Sequence, residues 1–198
     1  MEQRTEEWFN ARLGKVTASA ISNVLSSGVT HKNYLLQLVS ERLTGEKTET
    51  IVTPAMQHGI DNENDARLLY VERHQGVIEE GFIDHPKVSM SGMSPDGLTS
   101  DGKGLIEIKC PQNKTHTETL IEQKVPSRYL NQIMWQLACC PDREYCDFVS
   151  YNPAFPDNLK LFVKRVPRDN DYIKKLEKEV KAFTTKVDNI VNNLKEIK

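Results

Sequence analysis

Two short stretches carry residue types that could do chemistry together. Ser94-Pro95-Asp96-Gly97 is a turn sequence bearing a carboxylate, and Glu107-Ile108-Lys109 follows it, with ten residues between Asp96 and Glu107. In a strand, alternate side chains share a face, so Glu107 and Lys109 point one way and Ile108 points into the core. If residues 88–93 fold back against residues 104–109, Asp96 comes near Glu107. Two carboxylates suit a hard divalent cation such as Mg²⁺, which wants oxygen ligands, and the Ile108 carbonyl offers one more. A lysine beside them could position or activate a water and offset developing negative charge. Each piece alone is ordinary: Glu-x-Lys is often a solvated surface pair, and Ser-Pro-Asp-Gly is a common turn. Their order and spacing carry the reading.

Two helices would bring further groups. Thr53-Pro54 reads as an N-cap with proline at the first helical position, opening a helix to about residue 74 before Gly76. On it Met56, Gly59, Glu63, Ala66 and Tyr70 share one face. Glu63 thus stands on a small and apolar stripe, where a carboxylate needs a partner or a metal. A second helix is predicted over residues 128–140, capped by Ser127. Its stripe is Tyr129, Gln132, Ile133, Gln136 and Leu137, an apolar face interrupted by two glutamines. In isolation such residues are polar groups at the edge of a core, bonded locally.

The remaining elements must position these. Residues 6–13 read as a short helix carrying Trp8 and Phe9, and Thr17 as the cap of a helix through Ile21, Val24 and Leu25. A helix over residues 31–44 ends at Gly45. Residues 77–93 alternate weakly around Pro86 and predict two short strands. Residues 104–109, 146–151 and 159–166 predict three more. The last helix, residues 169–198, places Ile173, Leu176, Val180, Phe183, Val187, Ile190, Leu194 and Ile197 at alternating spacings of three and four. That seam serves a partner helix or, more simply, covers one face of the chain's own sheet.

The chain has 198 residues, 38% hydrophobic and 27% charged, enough for one globular domain with a sizeable core. No apolar run is long enough to span a membrane, and the acidic start is not that of a signal peptide, so a cytoplasmic setting is expected. There, Cys110, Cys139, Cys140 and Cys146 should be reduced. They form no C-x-x-C pair and read as small buried hydrophobes, with an iron–sulfur cluster as the remote alternative. A net charge of -2 excludes a uniformly basic coat but not a local basic groove. Lys15, Lys32, Lys114, Lys124 and Arg128 are candidates for one.

Taken in order, Gly59-x-x-x-Glu63, Ser94-Pro95-Asp96-Gly97, Glu107-Ile108-Lys109-Cys110-Pro111 and Tyr129-x-x-Gln132, preceded by Arg12-Leu13-Gly14-Lys15-Val16-Thr17-Ala18-Ser19, resemble one family. This is the phage lambda exonuclease group, the YqaJ-like viral recombinases, within the PD-(D/E)XK nuclease superfamily. The resemblance runs from about residue 8 to about residue 162 and treats residues 1–198 as a single nuclease domain. It implies an α/β (α+β) fold with a restriction-endonuclease-like core: a small central mixed β-sheet flanked by helices, with a long C-terminal helix. It implies a Mg²⁺-dependent, processive exonuclease that degrades one strand of linear duplex DNA from the 5′ end. Two Mg²⁺ per site are implied, with Mn²⁺ as a substitute; such a pair stabilises attacking and leaving oxygens together.

The same resemblance implies a ring-shaped homotrimer in a bacterial cytoplasm, of phage or prophage origin, passing 3′ single strands to a single-strand annealing protein. It assigns Asp96, Glu107, the Ile108 carbonyl and Glu63 to metal. Lys109 would orient or deprotonate the attacking water, supported by Gln132 and Tyr129. Arg12, Ser19 and Ser94 would bind the 5′-phosphate, and Met56 would wedge the terminal base pair apart. Two other readings compete: a restriction-type endonuclease or iron–sulfur nuclease of the same superfamily, and a non-catalytic DNA-end module. The intact Asp, Glu and Lys speak against the last, which has no need of them.

Overall fold

The computed structural model describes residues 3, 5–49 and 51–197. Its centre is a five-stranded mixed sheet in the order β2-β5-β6-β7-β8, built from β2 (Val77–Ile78), β5 (Gly97–Thr99), β6 (Gly104–Lys109), β7 (Tyr145–Tyr151) and β8 (Leu161–Pro167). Strands β6 and β7 run parallel, so the chain must cross over between them. Helices α5 (Asn113–Glu122) and α6 (Leu130–Cys139) make that crossover.

The alternation of β6 sorts its residues between two cores. Ile106 and Ile108 join Val149, Tyr151 and Cys110 under α4 (Pro54–Arg73), against Ala66 and Tyr70. Leu105 faces the opposite, larger core with Cys146, Phe148, Phe162 and Val166. Glu107 and Lys109 share that second face, as the period of two requires. Helix α6 lies there, and every residue from Ile133 to Cys139 is buried. A helix buried all round is covered on both sides. Beyond it lie α2 (Ile21–Leu25), α3 (Val29–Thr44) and α7 (Asn170–Lys195), which pack on one another. The seam of α7 is buried at Ile173, Leu176, Val180, Phe183 and Val187, each such side chain contributing about 1.5–3 kcal/mol, and half-buried at Ile190. It therefore covers helices, not the sheet expected for it, and the seam's last members, Leu194 and Ile197, are exposed.

A second sheet of three strands, in the order β1-β4-β3, joins β1 (Val16–Thr17), β3 (Ile83–Asp84) and β4 (Ser91–Met93). This changes how Asp96 reaches Glu107. Residues 88–93 do not fold back on β6; β4 pairs instead with β1 and β3. The hairpin partner of β6 is β5, with Gly97 opposite Ile106, and Asp96 immediately precedes it. Gly97 admits no side chain, because a Cβ there would lie 2.1 Å from Val77 Cγ1. Residues 77–93 thus hold three short strands rather than two. The helix after Thr17 is likewise a single 3₁₀ turn, Ala18–Ala20, followed by the five-residue α2, and the Thr17 side chain makes no capping bond. The predicted start at Ser127 is also a 3₁₀ turn, Ser127–Tyr129, ahead of α6. Thr53, by contrast, caps α4 as expected, its side chain accepting from the Met56 N–H.

Candidate active site

Asp96 sits where the edge of β6 runs out of partners. The β5 register ends at Gly97 opposite Ile106, and past that point the Ile108 N–H donates to Asp96 Oδ2 at 2.6 Å. Within a strand a residue's N–H and C=O point to the same edge, so the Ile108 carbonyl faces the same side as Asp96. One residue earlier, Glu107 is 1% exposed and its carboxylate is fully engaged. Gln132 Nε2 donates to Oε1 at 2.5 Å, Gln136 Nε2 donates to Oε2 at 2.5 Å, and the Lys109 ammonium pairs with Oε1. Tyr129 flanks the lysine, with Lys109 Nζ 5.5 Å from its ring centre, and stacks on Phe148.

The electrostatics follow from crowding two carboxylates around one lysine. Burial, then the charge of Glu107, pushes the Asp96 carboxyl well above the usual range. Glu63 adds to that push, while Lys109 and the Ile108 N–H oppose it. Burial alone would lower the Lys109 ammonium, but the charges of Glu107 and Asp96 outweigh it and raise it. Lys109 is therefore a cation here at neutral pH. A second positive charge beside Asp96 and Glu107 would relieve that crowding. The site's donors are all oxygens: Asp96, Glu107 and the uncovered Ile108 carbonyl. Among the described residues no three His, Cys, Asp or Glu side chains form a ready metal cage. A donor set of two carboxylates and a carbonyl is one that a hard divalent cation could use, with water or substrate oxygens in its other positions.

Glu63 is on the expected face of α4, one turn before Ala66, and is paired with Arg67 at 3.0 Å. Arg67 in turn donates to the Asp96 main-chain oxygen at 3.0 Å, so α4 grips the turn that carries the carboxylate. Arg67 and Gln136 are the two residues here that the sequence reading did not assign. The signals were present: an i,i+4 Glu–Arg pair, and a second glutamine one turn beyond Gln132.

Two residues before Asp96, the Ser94 hydroxyl accepts from Arg12 Nη1 at 3.0 Å and from Trp8 Nε1 at 2.8 Å. With both acceptor positions taken, its own proton is left to donate outward. The Arg12 guanidinium lies 4.1 Å over the Trp8 ring, and among the described residues it makes no ion pair. Burial lowers it to about 10, so it stays charged at neutral pH, a half-buried cation paired with no carboxylate among the described residues. Ser19 is less engaged. It is exposed, two residues past Thr17 as Ser94 is two past Gly92, and those two are register partners on parallel strands. Its hydroxyl contacts that of Thr17 at 3.4 Å. Met56 is exposed on the first turn of α4 and lines a cavity of about 580 Å³ shared with Arg12, Trp8 and Lys47.

Of the basic residues considered for a groove, Lys15 is held by Asp84 at 2.6 Å and Lys124 lies 3.5 Å from Glu122. Arg128 stacks on Tyr129, while Lys32 and Lys114 are exposed. The cysteines do not converge: Cys110 belongs to the α4 core, and Cys139 and Cys146 belong to the other. Burial raises all four thiols, Cys110 to about 12.

The fold and this site define a restriction-endonuclease-like α/β domain, and comparison gives the family. The YqaJ-like viral recombinase domain profile matches residues 7–142. An alkaline exonuclease from Laribacter hongkongensis, LHK-Exo, is 43% identical, with 96% of this chain and 96% of that chain aligned and a TM-score of 0.91. Its structure in complex with dAMP matches equally well. A phage-related exonuclease from Haemophilus somnus 129PT shares the fold, with a TM-score of 0.71 at 16% identity over 91% of this chain and 96% of that one. The uncharacterized protein R354 of Acanthamoeba polyphaga mimivirus is 26% identical over an alignment of 176 residues that covers 82% of this chain. This chain spans only 31% of that protein's length. The chain belongs to the YqaJ-like viral recombinase family.

Proposed function

We propose that this protein is a metal-dependent exonuclease that digests one strand of linear duplex DNA from the 5′ end, leaving 3′ single strands for an annealing protein. One juxtaposition carries the reading: a carboxylate pair with its lysine, set two residues from a serine that a half-buried arginine bonds. A nuclease of either polarity needs the first; an enzyme that reads a terminal phosphate needs the second as well. The likeness to LHK-Exo, named as an alkaline exonuclease and solved with dAMP, supports both halves.

In this reading Asp96, Glu107 and the Ile108 carbonyl hold Mg²⁺ or Mn²⁺, with Glu63 at the rim tuning Asp96 through charge and through Arg67. Bound there, the metal would polarise the scissile phosphate and ease ionisation of the attacking water. Lys109, held as an ammonium, donates to that water and orients it in line. Gln132 and Tyr129 fix Glu107 and Lys109 from the α6 side. Arg12 and Ser94, with Ser19 nearby, take the 5′-phosphate, and Met56 parts the terminal base pair at the cavity mouth.

End-labelled linear duplex with Mg²⁺ provides the test. Digestion is expected from 5′-phosphorylated ends, slower digestion from 5′-hydroxyl ends, and none of covalently closed plasmid. Nicking of the plasmid would instead reveal an endonuclease, and release of label from 3′ ends would reverse the polarity.

Assembly belongs to the same proposal. A subunit of 22.6 kDa has little surface with which to surround a duplex, whereas a closed cyclic trimer holds DNA topologically and stays on it. Light scattering at micromolar concentration is expected to give about three times the subunit mass. A monomer under those conditions would remove the basis for processivity.

A further inference from the structure

We propose that Gln136 determines which divalent cation the site prefers, by reserving one oxygen of Glu107 and leaving the other for metal. The inference rests on the metal-binding reading above. Gln136 is completely buried and donates from Nε2 to Glu107 Oε2 at 2.5 Å. The opposite amide orientation would set a carbonyl against a carboxylate, so the donor must face Glu107. Its own Oε1 is buried and has no hydrogen-bond partner in the structure. A residue serving packing alone would be apolar at this depth, since a buried amide with an unmatched carbonyl is costly. The amide is kept for what it does to Glu107.

The two oxygens of Glu107 face different surroundings. Oε1 meets Gln132 and the Lys109 ammonium, both partly exposed, so a cation entering from solvent meets Oε1 in exchange with the ammonium. Oε2 meets Gln136 alone among the described residues, in the buried layer between the sheet and α7. With Oε2 committed, Glu107 offers one oxygen. Small, strictly octahedral Mg²⁺ accepts single-oxygen carboxylates, whereas Ca²⁺ draws its affinity from six to eight oxygens, often with both oxygens of one carboxylate. Gln136 is thus a positioning residue that acts against Ca²⁺.

Calorimetric titration of the DNA-free protein with Mg²⁺ and, separately, with Ca²⁺ tests this in wild type, Gln136→Leu and Gln136→Asn. Leucine fills similar volume without the donor, and asparagine keeps the amide but falls one methylene short of Oε2. In the leucine variant the ratio of Ca²⁺ to Mg²⁺ affinity is expected to rise roughly tenfold, the size typical of lost outer partners of metal ligands. The asparagine variant should move the same way, and it decides the matter if leucine abolishes folding by circular dichroism. An unchanged ratio, or equal losses for both cations, would overturn the inference while leaving the nuclease reading intact. Failure of the wild type to bind either cation would overturn both.

Discussion

Lys109→Ala is expected to abolish hydrolysis while the protein still folds and still binds DNA. Among the described residues Lys109 is the cation paired with Glu107, and its ammonium stands between that carboxylate and the Tyr129 ring. Removing it takes away the group that orients the water and offsets charge building on the phosphate. Groups in such roles are worth about 10²–10⁴-fold in rate. Single-turnover digestion of end-labelled duplex measures the loss, and a gel shift in metal-free buffer reads binding separately. Asp96→Ala should fail differently: it also removes the acceptor for the Ile108 N–H and weakens metal binding itself. Turnover by Lys109→Ala at the wild-type rate would show that another residue handles the water.

Arg12→Ala is expected to slow digestion of 5′-phosphorylated duplex by about 100-fold, the scale of a lost charge-assisted hydrogen-bond pair. On 5′-hydroxyl ends the rate should hardly change, because the phosphate that Arg12 answers is already absent. The two-substrate comparison matters because Arg12 also stacks on Trp8 and bonds Ser94. If those contacts were its purpose, both substrates would suffer alike, and equal losses would sink the pocket assignment. The pH dependence adds a check. With its guanidinium lowered to about 10 by burial, Arg12 remains charged through neutral pH. The preference for phosphorylated ends should persist from pH 7 to 9 and weaken only as pH nears 10.

The long elements of this fold were legible because each repeats its signal. The seam predicted for the last helix runs through eight apolar residues at regular spacing, seven of them within α7, and Thr53-Pro54 marks the start of α4 by cap and proline together. The chemistry was legible for a different reason: Asp96, Glu107, Lys109 and Gln132 stand in short motifs whose residue types have few other uses in that order. What escaped the sequence is what has no period. Strands β1 and β5 are two and three residues long, and no alternation is visible in so few. Helix α5 reads Asn-Lys-Thr-His-Thr-Glu-Thr-Leu-Ile-Glu and buries only His116 and Thr119, so no apolar stripe announces it. The wrong hairpin partner for β6 followed from missing β5: residues 88–93 were the nearest apolar stretch, yet their edge is taken by β1 and β3. Gln136 was visible as a polar break in an apolar face, but only the folded chain shows its amide reaching Glu107.

The bond from the Ile108 N–H to Asp96 has an evolutionary corollary. The two carboxylates are aligned at the open end of the β5–β6 hairpin, while the residues separating them in sequence turn at the other end, around Gly102 with φ +76. The interval between the motifs is therefore a property of hairpin length, not of catalysis. Residues added at that turn leave the pairing at the open end, Gly97 opposite Ile106, unchanged, and with it the side chains that face α6; only a slip in register would swap the two faces. The gap between the two motifs can therefore vary with the turn, while the serine two places before the aspartate is tied to the site by its bonds to Arg12 and Trp8.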